Sequence, residues 1–354
     1  MLLLRGKNRS KICMANHPLT EFLARLVRRE DLNRDEAFEL LEALLDADAT
    51  DAQISGALVA LASKGETVEE LTGLAEGLRS RAVRLVSKHK CFIDTAGTGS
   101  SRAKTFNIST AAAFVIAGAG LPVAKHGNRA ASSKSGSADL LTALGVNVSA
   151  IPLASENALN EVNICFMFAP LFHGATARVA GIRRQLGIHT TFNLLGPLSN
   201  PAGAPRQIIG VWRKDLAEKL AKVLSELGTE RAWVVHGEDG LDEITLAGKT
   251  LVAEAQDGEV KTFEIGPEDF GLEARALDHL RGGDTEANAR IVSAVFDGTR
   301  TDEARSLVIV NAAAALFVGG AAADLREGVK LAANAIDSGA AMEKLDLLIE
   351  ATVG

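Results

Sequence analysis

The sequence predicts a small N-terminal all-α domain hinged to a large α/β domain with a mainly parallel central sheet. Residues 19–87 carry apolar side chains at three- and four-residue spacing, which is typical of amphipathic helices. From residue 91 onward, short β-rich runs alternate with helical lengths, as in the βα units of a parallel sheet. The predicted division is a disordered extension over 1–15, a helical domain over 16–88 to which 173–195 can contribute, and an α/β domain over 89–354.

Capping-box spacings mark the starts of the predicted N-terminal helices. Asn33, Thr50 and Thr67 are each followed three residues later by Glu or Gln. In this arrangement the cap side chain and the acidic or amide side chain each accept a backbone N–H that the helix leaves unsatisfied. The pattern predicts four short helices between residues 19 and 87.

The α/β region is predicted from apolar runs of strand length. The predicted strands cover 91–94, 121–124, 164–168, 207–211 and 232–236. A hairpin is predicted over 251–264, closed by Asp257 and Gly258, since this dipeptide permits positive φ. Helices are predicted from residue 287 to the end.

The composition excludes several classes of protein. The chain of 354 residues has a formal net charge of −7, whereas general nucleic-acid binders carry a basic face. Cys13, Cys91 and Cys165 are widely spaced, so neither a disulfide framework nor a zinc site is indicated. No apolar run approaches the length of a membrane span. These features favour a cytoplasmic protein with small polar substrates and with no nucleic-acid or membrane partner.

Two segments rich in glycine and hydroxyl side chains, 94–110 and 125–139, predict a site for a ligand with two phosphate groups. Each follows an apolar run and leads into a helical stretch, so each would direct backbone N–H groups and a helix N-terminus at an anion. Ser109 and Thr110 are also predicted to cap a helix over 111–118, and the second helical stretch is predicted to be capped by serine. The alternatives are an ordinary βα turn for the first glycines and a solvated lysine at a strand end for Lys125.

Further charged and imidazole side chains suggest additional chemistry. Asp242 and Glu243 offer adjacent carboxylates on a loop, the ligands that Mg²⁺ bridged to phosphates requires; the alternative is a solvated acidic loop. Arg183 can bind a planar carboxylate with two hydrogen bonds, whereas Arg184 is predicted to lie on the surface. His126 and His173 are candidate general bases, although lone histidines are more often structural.

The chain resembles the anthranilate phosphoribosyltransferase family from about Leu19 to the C-terminal helices. The resemblance rests on Gly97-Thr98-Gly99, on 105–110, on Lys125-His126-Gly127-Asn128-Arg129, on 192–201 and on 239–243. It implies transfer of a phosphoribosyl group from phosphoribosyl pyrophosphate to the amine of anthranilate, with release of pyrophosphate, in tryptophan biosynthesis. It also implies Mg²⁺ as the cofactor and a homodimer as the assembly.

The resemblance further assigns roles to individual residues. Lys125, Asn128 and Arg183 would act on the reacting groups, with Asn128 and Arg183 binding anthranilate, while Ser109, Asp242 and Glu243 would bind the metal. The remaining substrate contacts would be Gly97, Thr98, Gly99, Ser100, Ser101, Thr105, Asn107, Ile108, Ser109, Thr110, His126, Gly127, Arg129, Ala130, Ala131, Ser132, Ser133 and Ser137.

The chain departs from the family pattern at two places. Ser100-Ser101-Arg102 stands where the family continues with Gly-Asp-Gly, and Gly174 stands where the family usually has proline after the histidine. We expect a lower dependence on a second Mg²⁺ ion, with Arg102 or Lys104 balancing part of the pyrophosphate charge. The alternative functions are a nucleoside phosphorylase of the same superfamily and a non-catalytic relative that binds nucleic acid. The acceptor and metal residues argue against the first, and the acidic composition argues against the second.

Overall fold

The computed structural model describes residues 17–99, 105–130, 135–277, 280 and 282–353. Its strands are β1 (Ile93–Gly97), β2 (Val123–Gly127), β3 (Ile164–Phe168), β4 (Arg206–Gly210), β5 (Arg231–Gly237), β6 (Thr250–Gln256) and β7 (Glu259–Ile265). Its helices are α1 (Pro18–Val27), α2 (Arg34–Leu45), α3 (Asp51–Lys64), α4 (Val68–Ser80), α5 (Ile108–Gly118), α6 (Ser137–Ala143), α7 (Pro152–Val162), α8 (Ala169–Phe172), α9 (Ala177–Leu186), α10 (Phe192–Leu198), α11 (Asp215–Glu226), α12 (Thr285–Phe296), α13 (Glu303–Val318), α14 (Leu325–Asp337) and α15 (Ala340–Thr352). Short 3-10 turns cover Gly174–Thr176 and Pro267–Phe270.

Within the described residues the strands form one seven-stranded sheet in the order β3-β2-β1-β4-β5-β6-β7. The first five strands of this order are parallel, and β6 and β7 add antiparallel strands at one edge. The predicted mainly parallel sheet and the hairpin are therefore confirmed. At the hairpin turn, Asp257 and Gly258 have φ values of 53° and 81°.

The predicted bounds of the first two strands are wrong. β1 and β2 begin two residues later than predicted and extend to Gly97 and Gly127. The polar residues Asp94 and Lys125 suggested that the strands end there, but both side chains are buried within strands. The hydrophobic pattern does not show whether a single polar residue lies inside a strand or in the loop that follows it.

The N-terminal helices begin where the capping boxes predict. Oδ1 of Asn33 accepts a hydrogen bond from the N–H of Glu36, at 2.9 Å. In turn, Oε2 of Glu36 accepts a hydrogen bond from the N–H of Asn33. Thr50 and Thr67 form the same reciprocal arrangement at the starts of α3 and α4. Each box satisfies two backbone donors that would otherwise lack a partner, so these helix starts are fixed locally.

Two apolar cores lie on opposite faces of the sheet. One fills the space between the sheet and the helices α5, α7 and α12–α15. The other continues from the N-terminal helices, through residues such as Leu74, to Leu220 of α11 and to Ile209, Val234 and Ala253 of the sheet. The small helical domain is thus joined to the α/β domain by a shared apolar core.

A half-buried arginine ties the helical domain to two helices of the α/β domain. Arg79 at the end of α4 donates Nε to the carbonyl of Leu198, at 2.7 Å, and Nη1 to the carbonyl of Leu227, at 3.3 Å. Both carbonyls lie at the ends of helices, where a cation is favoured. Burial lowers the pKa of Arg79 to about 10.

Within the described part of the chain, no helix has both the length and the apolar character needed to cross a membrane.

Candidate active site

The two glycine-rich segments leave the sheet at the ends of neighbouring strands. The order of the parallel strands reverses its direction between β1 and β4. In open α/β sheets, ligands bind beyond the carboxyl ends of the strands at such a reversal. Gly97 of β1 and Gly210 of β4 lie opposite each other at this edge. This edge is the candidate site.

Thr98 anchors the first loop to β4. Its backbone N–H and its hydroxyl both donate to the carbonyl of Gly210, at 2.9 and 3.0 Å. Gly99 has a φ of 68°, a left-handed conformation that favours glycine. A Cβ on Gly97 would lie 3.5 Å from Oδ2 of Asp242, so the loop starts beside that carboxylate. Outside the described residues lie the next predicted positions, Ser100, Ser101, Arg102 and Lys104.

Asn107 connects the first loop to the second. Its backbone is left-handed, with φ 62° and ψ 51°. Its amide Nδ2 donates to the carbonyl of Ser135, at 3.1 Å, which lies at the end of the second loop. Its Oδ1 accepts from Nδ2 of Asn288 on α12, at 3.2 Å. One side chain therefore holds both loops and a C-terminal helix together.

The prediction that Ser109 and Thr110 cap a helix over 111–118 is wrong. α5 begins at Ile108, so Ser109 and Thr110 lie in its first turn, and Asn107 is the N-cap residue without a side-chain cap bond. The helix starts earlier because the left-handed turn at Asn107 reverses the chain directly before Ile108, whose side chain is fully buried. Thr110 is buried and Thr105 is half-buried. The first-turn N–H groups of α5 thus lie at the head of the site.

Lys125 lies inside β2 rather than at its end, and its side chain is only 3% exposed. The alternative of a solvated lysine is therefore wrong. Its Nζ donates to the carbonyl of Thr95 on β1. Burial lowers the pKa of Lys125, whereas the nearby carboxylates of Asp94 and Glu243 raise it. The structure places this cation between the strands that carry the two loops.

The second loop folds back closely over the start of α6. A Cβ on Gly127 would lie 2.2 Å from Oγ of Ser137, so only glycine fits there. The carbonyl of Asn128 accepts from Oγ of Ser137, at 3.3 Å, and from the N–H of Ala138, at 3.2 Å. Ser137 is the first residue of α6 and Gly136 is the N-cap, so the predicted serine cap is wrong. Instead of capping α6, the hydroxyl of Ser137 donates to the carbonyl of Asn128 in the loop.

An internal carboxylate binds the donors of the second loop. Asp139 Oδ2 accepts from the N–H groups of Ala130 and Gly136, at 2.9 and 3.0 Å. Its Oδ1 accepts from Arg129 Nη1, at 2.9 Å. The head of α6 therefore has the donor set of an anion site, with the anion supplied by the chain itself. Outside the described residues lie the predicted contacts Ala131, Ser132 and Ser133.

Asp242 and Glu243 lie on the turn after β5, directly behind the first loop. Oε1 of Glu243 accepts the N–H of Ser109, at 3.1 Å. The turn packs so closely on β4 that a Cβ on Gly210 would lie 1.6 Å from the carbonyl oxygen of Asp242. Burial and the charge of Asp242 raise the pKa of Glu243 to about 8, while Lys125 opposes the rise. The structure thus brings the three predicted metal ligands to one place.

This donor set suits a hard cation that is shared with phosphate. Two neighbouring carboxylates repel each other, and a divalent cation removes that repulsion. In the parts of the chain that the structure describes, no three His, Cys, Asp or Glu side chains are grouped to hold a metal by themselves. Mg²⁺ commonly takes only one or two protein carboxylates and completes its shell with phosphates and water. Asp242, Glu243 and the Ser109 hydroxyl therefore fit Mg²⁺.

The two candidate histidines pack against each other behind the second loop. Their ring centroids are 5.1 Å apart. Nδ1 of His126 lies 3.2 Å from the carbonyl of Gly196, and Nε2 of His173 lies 3.1 Å from that of Ser199. Burial, followed by the charges of His173 and Lys125, lowers the pKa of His126 to about 3, and burial also lowers the pKa of His173. Both rings are therefore neutral and weakly basic, which disfavours a general-base role.

Arg183 is held between α9 and α10. Its Nη2 donates to Oδ1 of Asn193, at 3.1 Å, and its guanidinium carbon lies 5.5 Å from the ring centroid of Phe192. Burial lowers the pKa of Arg183. Gly196 of the same helix α10 contacts His126 of β2, so Arg183 and β2 pack against one helix. Arg184 is exposed, as predicted.

For three residues in and around this site, no individual role was predicted from the sequence. Asn288 orients Asn107, and its only sequence signal is a polar residue at a core position of the amphipathic helix α12. Asp94 and Asn200 are buried and hydrogen-bonded to each other, at 2.7 Å. They are 106 residues apart in sequence, so no local pattern could pair them.

Comparison with known proteins agrees with this geometry. Residues 20–82 match the model of the glycosyl transferase family helical bundle domain, and residues 89–342 match that of the a/b domain. An anthranilate phosphoribosyltransferase of Moorella thermoacetica is 50% identical over 92% of this chain and 96% of its own length. One of Anaeromyxobacter dehalogenans is 53% identical over 93% of this chain and 97% of its own length.

Solved structures give the same result. The anthranilate phosphoribosyltransferase (TrpD) of Thermus thermophilus has a TM-score of 0.87 and 37% identity, covering 94% of this chain and 99% of that one. The enzyme of Saccharomyces cerevisiae in complex with PRPP and Mg has a TM-score of 0.86 and 28% identity, covering 96% and 99%. A helical bundle and an α/β domain with paired loops at the strand reversal define a glycosyl transferase. Within that class, the chain belongs to the anthranilate phosphoribosyltransferase family.

Proposed function

We propose that this chain transfers the 5-phosphoribosyl group from phosphoribosyl pyrophosphate to the amine of anthranilate, in tryptophan biosynthesis. The bond from ribose C1 to the amine nitrogen forms, the bond from C1 to pyrophosphate oxygen breaks, and the amine loses a proton. The products are N-(5-phosphoribosyl)anthranilate and pyrophosphate. One observation carries the proposal: the first glycine-rich loop lies beside the acidic pair Asp242 and Glu243 and is joined to the second loop by the bond from Asn107 to Ser135.

The donor would lie between the two loops. The first loop, from Gly97 to Thr110, would bind the pyrophosphate and the ribose, and the second, from His126 to Ser137, would bind the remaining phosphate. Lys125 supplies a positive charge between the two strands. The reaction needs little proton chemistry, because an aromatic amine is already neutral at pH 7. The chain's task is to align two substrates and to stabilise the charge of the leaving group.

Asp242, Glu243 and the hydroxyl of Ser109 would hold Mg²⁺, which supplies charge neutralisation for the departing pyrophosphate. The contact from Glu243 to the N–H of Ser109 places the acidic pair at the head of α5. The raised pKa of Glu243 supports this assignment, since a carboxylate beside another carboxylate is stabilised by a bound cation. The yeast relative in complex with PRPP and Mg supports the same cofactor.

The acceptor would be bound by Asn128 and Arg183. Arg183 is half-buried and already oriented by Asn193, so its remaining donors can bind a carboxylate without a large loss of side-chain freedom. The yeast relative in complex with 4-fluoroanthranilate supports an aromatic acid as the acceptor.

We further propose a cytoplasmic homodimer without nucleic-acid or membrane partners. The dimer would form through the helical domain, taken as 16–88 with a contribution from 173–195, and the α/β domain would cover 89–354. Val27 of α1 and Val59 of α3 support this contact, because they are 69% and 41% exposed on that domain. Sedimentation velocity at several concentrations tests the assembly, and a single species at the mass of one chain would contradict it.

The activity is tested by following the fluorescence of anthranilate with phosphoribosyl pyrophosphate and Mg²⁺. We expect fluorescence to fall only when chain, donor and metal are all present. Replacing the donor with ribose 5-phosphate is the control, since this compound has the phosphate but lacks the leaving group. Unchanged fluorescence at every concentration of the chain would reject the proposed function.

A further inference from the structure

The hydrogen-bonded ladder between β1 and β2 is interrupted just below the two loops. In the described residues these strands pair only at Ile93 and Val123, whereas β1 pairs with β4 and β2 pairs with β3 over their full lengths. Continuing the register would place Thr95 opposite Lys125. In a parallel ladder the N–H of Thr95 would then donate to the carbonyl of Ala124, and the N–H of His126 would donate to the carbonyl of Thr95.

Side chains bind these backbone groups instead. The N–H of His126 donates to Oδ1 of Asp94, at 3.2 Å, and the carbonyl of Ala124 accepts from Nδ2 of Asn200, at 2.8 Å. The carbonyl of Thr95 accepts from Nζ of Lys125. Nδ2 of Asn200 also donates to Oδ2 of Asp94, at 2.7 Å. We call the side chains of Asp94, Lys125 and Asn200 the polar wedge.

The polar wedge is buried at a cost that a continuous ladder would avoid. Asp94 is fully buried, and Lys125 and Asn200 are each 3% exposed. Burial raises the pKa of Asp94 to about 6, although Lys125, Asn200 and the N–H of His126 stabilise its charge. Removing a carboxylate and an ammonium from water is unfavourable, so stability alone would favour backbone pairing.

The position of the polar wedge suggests what it contributes. Paired strands lie about 4.8 Å apart, a spacing set by backbone hydrogen bonds. At the polar wedge, side-chain hydrogen bonds replace backbone bonds between the strands, a few residues before the chain enters the two loops at Gly97 and Gly127. Asn200 is itself fixed, because its Oδ1 accepts the N–H of Ala202, at 2.9 Å. The polar wedge therefore ties β1 to β2 just before the loops and fixes the place of the Lys125 ammonium.

We propose that Asp94 and Asn200 are positioning residues for the phosphoribosyl donor. They hold the carboxyl ends of β1 and β2 apart so that the two loops and Lys125 bind the two anionic ends of one molecule. This inference rests on the proposed function, because the ligand is the donor of that reaction.

Asn200→Ala tests the inference, with Gln207→Ala as the matched control. Gln207 is also a buried amide, and it lies opposite Asp94 on β4 and donates to the carbonyl of Pro197, at 3.1 Å. Each change removes a buried amide beside the same end of α10, but only Asn200 belongs to the polar wedge. Calorimetry of phosphoribosyl pyrophosphate with Mg²⁺, without acceptor, gives donor affinity separately from turnover. Melting temperatures and the KM of each substrate complete the comparison.

We expect Asn200→Ala to weaken donor binding and raise the donor KM by about tenfold or more, with the KM of anthranilate changed less than about twofold. Gln207→Ala should lower the melting temperature to a similar extent and leave donor affinity within about twofold of the unsubstituted chain. Equal effects of the two variants on donor affinity would overturn the inference. If the unsubstituted chain binds the donor but does not consume anthranilate, the proposed function fails while this comparison remains valid.

Two further measurements keep the inference testable if Asn200→Ala does not fold. Asp94→Asn keeps the volume and the acceptor for the N–H of His126 but turns an amide toward Asn200, and we expect the same selective loss of donor affinity. In the unsubstituted chain, residue-resolved amide exchange should show protection of the His126 N–H before any donor is added. Rapid exchange of that amide in the free chain would overturn the inference whatever the variants do.

Discussion

The charged residues of the site are held in a buried network in which each charge depends on its neighbours. Lys125 is flanked by the carboxylates of Asp94 and Glu243, and Glu243 is flanked by Asp242. In the low-dielectric environment beneath the loops, these charges interact more strongly than on the surface. A polyanionic donor and a cation would therefore bind beside groups whose charges already depend on one another.

Arg183→Ala should weaken anthranilate binding selectively. A lost charged hydrogen bond costs about 1.5 to 3 kcal/mol, which corresponds to about tenfold to a hundredfold in the Kd of anthranilate. Donor affinity should stay within about twofold, because Arg183 bonds Asn193 of α10 rather than either loop. Calorimetry with each substrate measures both values, and Arg184→Ala is the control, since Arg184 is exposed. Equal losses for the two substrates would contradict the assignment.

His126 should make stability depend on pH on the acidic side. Its folded-state pKa of about 3 lies below the ordinary value of 6.5, so the unfolded chain binds the proton more tightly. Stability is therefore complete above about pH 6.5 and falls as pH is lowered towards 3. Between pH 7 and 5 the expected loss from this group is about 2 kcal/mol in the free energy of unfolding.

Urea unfolding of His126→Gln from pH 5 to 7 measures this contribution. The variant should show a flatter pH dependence than the unsubstituted chain. His89→Gln is the control, because His89 precedes β1 and bonds the carbonyl of Leu159 at the opposite end of the sheet. Parallel pH profiles for His126→Gln and the unsubstituted chain would show that burial of this ring does not control the acid response.

At the scale of elements, the turn that carries Asp242 is positioned by its close packing on strand β4. Gly210→Ala should displace the turn that carries Asp242, because a Cβ would lie 1.6 Å from the Asp242 carbonyl oxygen. We expect a loss of several kcal/mol in stability, or a large drop in Mg²⁺-dependent turnover if the turn moves instead. Gly181→Ala, on helix α9 with open space around its Cβ, should instead stabilise the chain by up to about 1 kcal/mol. Thermal unfolding and turnover of both variants check this contrast, and normal behaviour of Gly210→Ala would contradict it.

The acidic turn should be required for metal use but not for folding. Asp242→Asn combined with Glu243→Gln keeps the shape and removes the repulsion between the carboxylates, so the melting temperature should not fall. Turnover should fall by orders of magnitude, and the rise in melting temperature on adding Mg²⁺ and donor should disappear. Glu259→Gln on the exposed strand β7 is the control. Unchanged Mg²⁺ dependence in the double variant would reassign the pair to a solvated loop.

Local signals predicted the elements better than they predicted the site. The starts of α2, α3 and α4 follow from Asn33, Thr50 and Thr67 because each cap bonds residues three positions away. The start of α5 was wrongly predicted, since it depends on the left-handed conformation of Asn107, which bonds Ser135 and Asn288. Composition within a segment carries no information about such distant partners.

At the scale of the whole molecule, topology assembles the site from separate segments. The paired loops could be predicted because parallel strands bring their carboxyl ends to one edge of the sheet. The polar wedge could not, because Asp94, Lys125 and Asn200 come from three parts of the chain and replace backbone bonds. Arg79 and the shared apolar core then fix the helical domain against α10 and the end of α11. The site therefore depends on the complete fold.

The most direct measurement of the reaction counts both products in one reaction mixture. The chain is incubated with anthranilate, phosphoribosyl pyrophosphate and Mg²⁺, and the loss of anthranilate and the release of pyrophosphate are followed together. One pyrophosphate should appear for each anthranilate consumed, and neither should change when either substrate is omitted. Pyrophosphate release without anthranilate, or no consumption of anthranilate at any concentration of the chain, would contradict phosphoribosyl transfer to anthranilate at this site.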